Sequence, residues 1–222
     1  MVKDLSGSNT VTFYRLLCKI MDQLRDIPMN KPVDYKTLQS YLNNLASLDG
    51  REWQSLNEIL YTKHFDKKEV FQPAGKKCKT VGFILKGCFR WVKNYNGEER
   101  TFDFAIEDEF VTDYCSIITK KPCEIEIIAV ERSTMAGVDA AKLLALFDSS
   151  FSWQKVGRHL AEYAACYTME RLLAAYYESP QTRYKQLMKD SPELFLRIPH
   201  HILANYLGMT KETLSRLRNP GK

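Results

Sequence analysis

The chain reads as an α+β protein: N-terminal helices, an antiparallel β-barrel or sandwich, one long helix, and a C-terminal helix-turn-helix. Three observations carry this reading. Apolar residues recur at three and four positions before residue 61 and again after residue 139, as a helical period requires. Between them lies a stretch rich in β-branched and aromatic residues, broken by glycines roughly every ten positions. The third is the spacing of LANYLGMTKETLSRL near the C-terminus. At 222 residues, with 45% hydrophobic and 27% charged side chains, two modest domains are expected rather than one.

The elements follow in order. Phe13, Leu16, Leu17, Ile20 and Leu24 form a helical stripe after the turn-like SGSN, and Pro28 ends it. Leu38, Tyr41, Leu42 and Leu45 make a second stripe, and Trp53, Leu56, Ile59 and Leu60 a third. Short strands are expected from Phe65 to about Val138, through VGFILKGCFRWVKNYNGEERTFDFAI, EIEIIAV and TMAGV. Asn96-Gly97 supplies the residue types of a tight hairpin turn. Helix returns over Ala140 to Phe147, then over a long stretch from about Ser152 to Glu178 that Ser179-Pro180 breaks. On the long helix Val156, Leu160, Tyr163 and Tyr167 form an apolar seam suited to pairing with a second copy; the alternative is cover for the barrel, and opposite faces allow both. Tyr184, Leu187 and Met188 predict a short helix, and Phe195 to Ile198 a strand.

The C-terminal stretch is the most informative. Leu203, Leu207, Met209, Leu214 and Leu217 take the inward positions of two short helices. Ala204 permits a close crossing, and Gly208 permits the sharp turn between them. Thr210 is placed to cap the second helix, which leaves Lys211, Glu212, Ser215 and Arg216 outward. A row of hydrogen-bonding side chains at a helix start suits reading of base edges in a DNA major groove. Charge agrees with this. The net charge is +5, and Pro180 to Lys222 holds eight basic residues against three acidic, so the whole excess sits there.

Other classes find less support. No apolar run reaches membrane-spanning length and no leader pattern opens the chain, so a cytoplasmic location and no membrane partner are expected. Six cysteines (18, 78, 88, 115, 123 and 166) form no CxxC pair, which argues against a zinc or iron–sulfur site. A cupin-like enzyme would need histidines along the barrel strands, and none follows His64 there, so no catalytic residue is assigned. A small-molecule-binding barrel whose C-terminal helices contact another protein is the main alternative to a DNA reader.

The order of barrel, long helix and helix-turn-helix resembles the Crp/Fnr family of bacterial transcription regulators over roughly residues 40 to 218. LANYLGMTKETLSRL and the pattern from Gly82 through GEERTF carry the likeness. The resemblance implies a jelly-roll barrel of cyclic-nucleotide-binding type, a winged helix-turn-helix and a homodimer on a palindromic DNA site. RNA polymerase is a further partner it implies. It divides the chain into an N-terminal extension (1–36), an effector barrel (37–148), a dimerisation helix (149–178) and a DNA-binding domain (179–222).

It also places base contacts on Glu212, Ser215 and Arg216, with Thr210, Lys211 and Arg218 completing the DNA-binding set. Arginine can donate two hydrogen bonds to guanine, and glutamate can accept from cytosine. The effector pocket falls on Thr112, Asp113, Cys123 and Glu124. Members that bind cyclic nucleotides carry an arginine and a hydroxyl where this chain has Cys123 and Glu124. A carboxylate would repel a phosphate with no cation at hand, so cyclic AMP is not the expected effector. The oxygen-sensing branch clusters cysteines near the N-terminus, where this chain has only Cys18, so an iron–sulfur cofactor is not expected either. A haem held by His64 or a cysteine stays open, and no cofactor is assigned.

Overall fold

The computed structural model describes residues 35–218, so the stripe from Phe13 to Leu24, Cys18 and the last four residues lie outside the described residues. Helix α1 spans Lys36–Leu45 and α2 spans Gly50–Asn57. Asp49 starts α2 with a reciprocal capping box: its carboxylate accepts from the Arg51 and Glu52 backbone N–H groups at 2.8 Å, and Glu52 accepts from the Asp49 N–H at 3.0 Å. The third stripe continues past this helix, since Ile59 and Leu60 follow its end and lead into the first strand.

Eight strands follow: β1 Tyr61–Phe65, β2 Val70–Gln72, β3 Thr80–Lys86, β4 Phe89–Tyr95, β5 Glu98–Ala105, β6 Phe110–Val111, β7 Glu126–Ala129 and β8 Ser133–Asp139. A short helix, α3 (Tyr114–Thr119), separates β6 from β7. The strands form two four-stranded antiparallel sheets, β1-β8-β3-β6 and β2-β7-β4-β5. This is the strand order of a two-sheet jelly roll rather than of a single closed barrel. Phe65, Ile84, Val111 and Met135 from one sheet meet Phe89, Ala105 and Ile127 from the other in a common core. Asn96 and Gly97 join β4 to β5 with φ of 53° and 83°, the two positive angles of a type I′ hairpin turn.

Helices return with α4 (Ala140–Phe147) and the 27-residue α5 (Phe151–Tyr177). Ser150 caps α5 by accepting from the Trp153 N–H at 3.2 Å, and its hydroxyl donates to Glu52 at 2.5 Å. The starts of α2 and α5 are thereby tied together. Leu38, Leu42, Leu56, Phe83, Ala136, Leu146, Trp153 and Val156 form a second apolar core between these helices and the outer face of the first sheet. Only the root of α5 is covered this way; from Ala161 to Cys166 every residue is exposed.

The C-terminal part is helical throughout: α6 (Pro180–Asp190), α7 (Leu194–Arg197), α8 (His200–Leu207) and α9 (Lys211–Arg218). The strand expected over Phe195 to Ile198 is instead α7 and its C-cap, because Leu194, Phe195 and Ile198 all enter one apolar cluster. A strand would turn Phe195 and Ile198 to opposite faces. No strand follows Asp139 among the described residues, so the wing implied by the resemblance is not seen there. Among the same residues no helix is long and apolar enough to cross a membrane.

Gly87, between β3 and β4, has φ of 104°, and a Cβ there would lie 2.6 Å from the Ser133 backbone. Replacing Gly87 by Ala is expected to cost at least about 1–3 kcal/mol from backbone strain alone, with the clash in addition. Urea unfolding of the variant with an unchanged midpoint would contradict this.

Candidate nucleic-acid interface and effector locus

Leu203, Ala204 and Leu207 bury one face of α8, and Leu214 buries the matching face of α9. Gly208 ends α8 with φ of 72°, a left-handed position in which glycine carries no Cβ strain. Met209 N–H then bonds the Ala204 carbonyl at 3.0 Å, and Arg183 of α6 donates to the Leu207 carbonyl at 2.9 Å. Thr210 accepts from the Thr213 N–H at 3.1 Å and so caps α9. Lys211, Glu212, Ser215 and Arg216 are all exposed on its outer side. Arg218 differs from them: it is half-buried and its guanidinium meets His200 Nε2. The Glu212 carboxylate is held below the usual range, chiefly by its own backbone N–H at the helix start and then by Thr210. It is therefore a charged acceptor at neutral pH.

The helix pair is seated on the roll. Arg197 donates to Glu107 at 2.7 and 3.0 Å and to Glu131 at 2.9 and 2.5 Å, joining α7 to two loops of the roll. Asn205 of α8 accepts from the Thr101 N–H at 2.7 Å and donates to the Glu99 carbonyl at 3.0 Å. One side-chain amide thus supplies an acceptor and a donor to the open edge of β5, as a neighbouring strand would. Tyr206 packs edge-on against Phe104 with ring centroids 4.9 Å apart. From α5, Tyr167 donates to Asp103 at 2.7 Å, and Arg171 donates to the Phe102 carbonyl at 2.9 Å while lying over the Tyr206 ring.

Carboxylates crowd this junction, and their environments separate them. Burial pushes Glu107 up, but bonds from Arg197 and the Gly87 N–H outweigh it and leave the group below its ordinary range. Glu109, on the same turn, shifts the other way. Burial pushes it up to about 7, with the charges of Asp103, Glu193 and Glu107 adding to the rise and the Ile106 N–H opposing it. Burial also raises Asp103, against the pull of Arg171 and Tyr167.

Sequence reasoning did not single out Arg197, Asn205, Glu107, Glu109 or Glu131. The signal available was an arginine and an asparagine interrupting apolar helical runs, which says that they need partners but does not name them.

The four residues expected at the effector pocket separate into two environments. Asp113 accepts from the Ser116 N–H at 3.0 Å and caps α3. Thr112 donates to the Thr80 carbonyl at 2.9 Å. Cys123 is buried, and that burial pushes its thiol up to about 11. Glu124 is exposed and paired with Lys93 at 2.7 Å. The expectation that no cation stands beside this carboxylate is thus corrected, since β4 brings Lys93 across from a distant part of the sequence. His64 shares a 3.0 Å hydrogen bond with Thr134. Among the described residues no cluster of three His, Cys, Asp or Glu side chains could hold a metal ion.

The seam on α5 is also redistributed. Val156 is fully buried in its own chain and Leu160 packs beside it, while Tyr167 is spent on Asp103. Of the four, Tyr163 alone is exposed, at 45%. The bare apolar face lies further along, on Met169, Leu172, Leu173 and Tyr176.

Residues 62–150 match the family of cyclic nucleotide-binding domains. No curated protein matches the chain. Solved structures do. FixK2 from Bradyrhizobium japonicum is 15% identical, with a TM-score of 0.62 over 73% of this chain and 84% of its own. A protein assigned to the Crp/Fnr family of transcriptional regulators, from Eubacterium rectale, is 16% identical, with a TM-score of 0.57 over 77% and 82%. CLP of Xanthomonas campestris, described as a c-di-GMP-responsive global regulator, is 14% identical, with a TM-score of 0.57 over 78% and 91%. The chain therefore has a cyclic nucleotide-binding-type roll and a fold like that of Crp/Fnr regulators.

The raised Glu109 has a direct consequence for stability. Between about pH 4.3, where an unfolded glutamate ionises, and about 7, the folded state holds a proton that the unfolded state has lost. Stability should therefore fall as pH rises through this window. Glu109→Gln keeps an acceptor for the Ile106 N–H and removes the titration. The variant should gain on the wild type by on the order of 2–3 kcal/mol between pH 5 and 8. Parallel stability curves for the two proteins in denaturant titrations at several pH values would refute the assignment.

Proposed function

We propose that the protein is a homodimeric, sequence-specific DNA-binding transcription regulator of Crp/Fnr type, acting on a palindromic site. The observation that carries this reading is α9: capped by Thr210, anchored by buried Leu214, and presenting Lys211, Glu212, Ser215 and Arg216 to solvent together. Arg216 suits a bidentate contact with guanine, and Glu212, charged at neutral pH, an amino group of cytosine. Lys211 and Thr210 at the helix start suit phosphate. Arg218, held by His200, serves the backbone or the internal contact rather than a base. The fold of the solved relatives supports the reading, as does the concentration of positive charge after Pro180. The role assigned is binding, with no catalytic step.

The dimer uses α5 beyond its covered root. Met169, Leu172, Leu173 and Tyr176 are 48–78% exposed and recur at three and four residues, the spacing of a helix–helix seam. Cyclic AMP is not the effector in this reading. The phosphate-clamp positions hold a buried thiol and a carboxylate already paired with Lys93, with no arginine.

Two sets of measurements test these proposals. Arg216→Ala should cost about 1–3 kcal/mol on the selected site and relax preference at one base pair. Lys211→Ala should weaken all sequences alike and lower the salt slope by about one. Binding of both variants to selected and scrambled duplexes across a salt series separates the effects, and equal losses on both duplexes for Arg216→Ala would remove α9 from base reading.

Leu172→Asp should shift the sedimenting species from dimer to monomer at micromolar concentration without loss of helix signal, because Leu172 is exposed within its own chain. A wild type that sediments as a monomer would sink the dimer.

A further inference from the structure

The core between the helices and the outer face of the first sheet is incompletely filled. A cavity of about 40 Å³ lies there, lined by Leu38, Leu56, Phe83, Phe110, Trp153 and Leu160 among other residues, all of them apolar or aromatic. Among their side chains the only polar atom is the indole nitrogen of Trp153. That residue is 1% exposed, and its N–H has no hydrogen-bond partner among the described residues. Buried donors are almost always satisfied, and an unmet one costs the full desolvation of the group. The chain does satisfy Trp91, whose indole donates to the Thr112 carbonyl at 3.2 Å. Trp153, the residue with the unmet donor, is thus also one of those that line the unfilled space.

The chemistry of that place selects its occupant. The volume exceeds the roughly 10–15 Å³ that one water needs, but a water would find one donor there instead of two to four partners. A charged molecule would find no countercharge and would lose its hydration. The locus expected for an effector inside the roll is meanwhile taken up by internal bonds of Thr112 and Asp113 and by the buried Cys123.

We propose that this cavity is a binding site for a small uncharged molecule with an apolar body and one carbonyl-type acceptor, which takes the Trp153 indole N–H. Trp153 and Val156 belong to the first turns of α5, so an occupant touches the root of the helix assigned to dimerisation. That consequence rests on the regulator reading; the binding does not, and it is measured without DNA.

The test uses the full chain, with propanone as the probe and 2-methylpropene as its isostere lacking the acceptor. The indole N–H resonances are assigned with Trp53→Phe and Trp91→Phe and followed by heteronuclear NMR during titration. Propanone should bind saturably in the millimolar range, as expected for four heavy atoms, and move the Trp153 indole resonance downfield. 2-Methylpropene should perturb the methyl groups of Leu38 and Leu160 without that downfield shift. Trp153→Phe should weaken propanone by about fivefold or more and leave the alkene nearly unchanged.

The wild-type titration stands even where Trp153→Phe does not fold. Three results overturn the proposal. One is no saturable binding of either probe. Another is equal affinity for both probes with no indole shift. The last is an indole resonance already in its hydrogen-bonded position and unmoved by propanone, which would mean that the chain supplies its own acceptor.

Discussion

The guanidinium of Arg197 holds carboxylates from two separate turns of the roll, Glu107 before β6 and Glu131 before β8, and the seating of the C-terminal helices depends on it. Bidentate geometry to Glu107 fixes direction as well as distance. With α7 set in this way, α8 lies along the edge of β5, where Asn205 bonds the Thr101 N–H and the Glu99 carbonyl. The apolar cluster at this junction is shared: Cys88, Phe104 and Val130 of the roll meet Leu194, Phe195, Ile198 and Leu203. In the proposed regulator, the direction in which α9 faces is therefore set by contacts with the roll, and the turn at Gly208 transmits it.

The long helix performs two tasks on different lengths of itself. Its root is a core element, with Trp153 and Val156 buried beneath α1 and α2. Its middle is bare from Ala161 to Cys166, and its distal part returns to the roll through Tyr167 and Arg171. The remaining apolar residues of that distal part, Met169, Leu172, Leu173 and Tyr176, are left uncovered among the described residues. Burial of such a face against a copy of itself is the low-cost arrangement for a symmetric dimer.

The positions expected to form an effector pocket are engaged in bonds of the chain itself. Asp113 and Thr112 bond backbone groups, and Glu124 forms a surface pair with Lys93. The unfilled space is instead on the other side of the first sheet, at the base of α5. A ligand there would act through packing rather than through charge.

Periodicity and turn chemistry alone carried most of the secondary structure. The long helix, its break at Ser179-Pro180, the Asn96-Gly97 hairpin and the Thr210 cap all depend on residues near in sequence, and local sterics and hydrogen bonding decide them. The outward row on α9 was legible for the same reason, since a helix separates its faces by spacing. The strand expected over Phe195 to Ile198 failed because a four-residue, mainly apolar run cannot distinguish a strand from a helical turn when the neighbouring surface is unknown. Val156 and Tyr167 read as one seam with Tyr163 because spacing identifies an apolar face but does not say which surface covers it. Lys93 beside Glu124, Asn205 on the edge of β5, and Arg197 between Glu107 and Glu131 join positions 31 to 106 residues apart. The sequence by itself determined the elements and the chemistry they expose. Tertiary structure alone decided which charges meet, which face of α5 is free, and where a cavity remains, because these depend on how sheets and helices close in space rather than on neighbours along the chain.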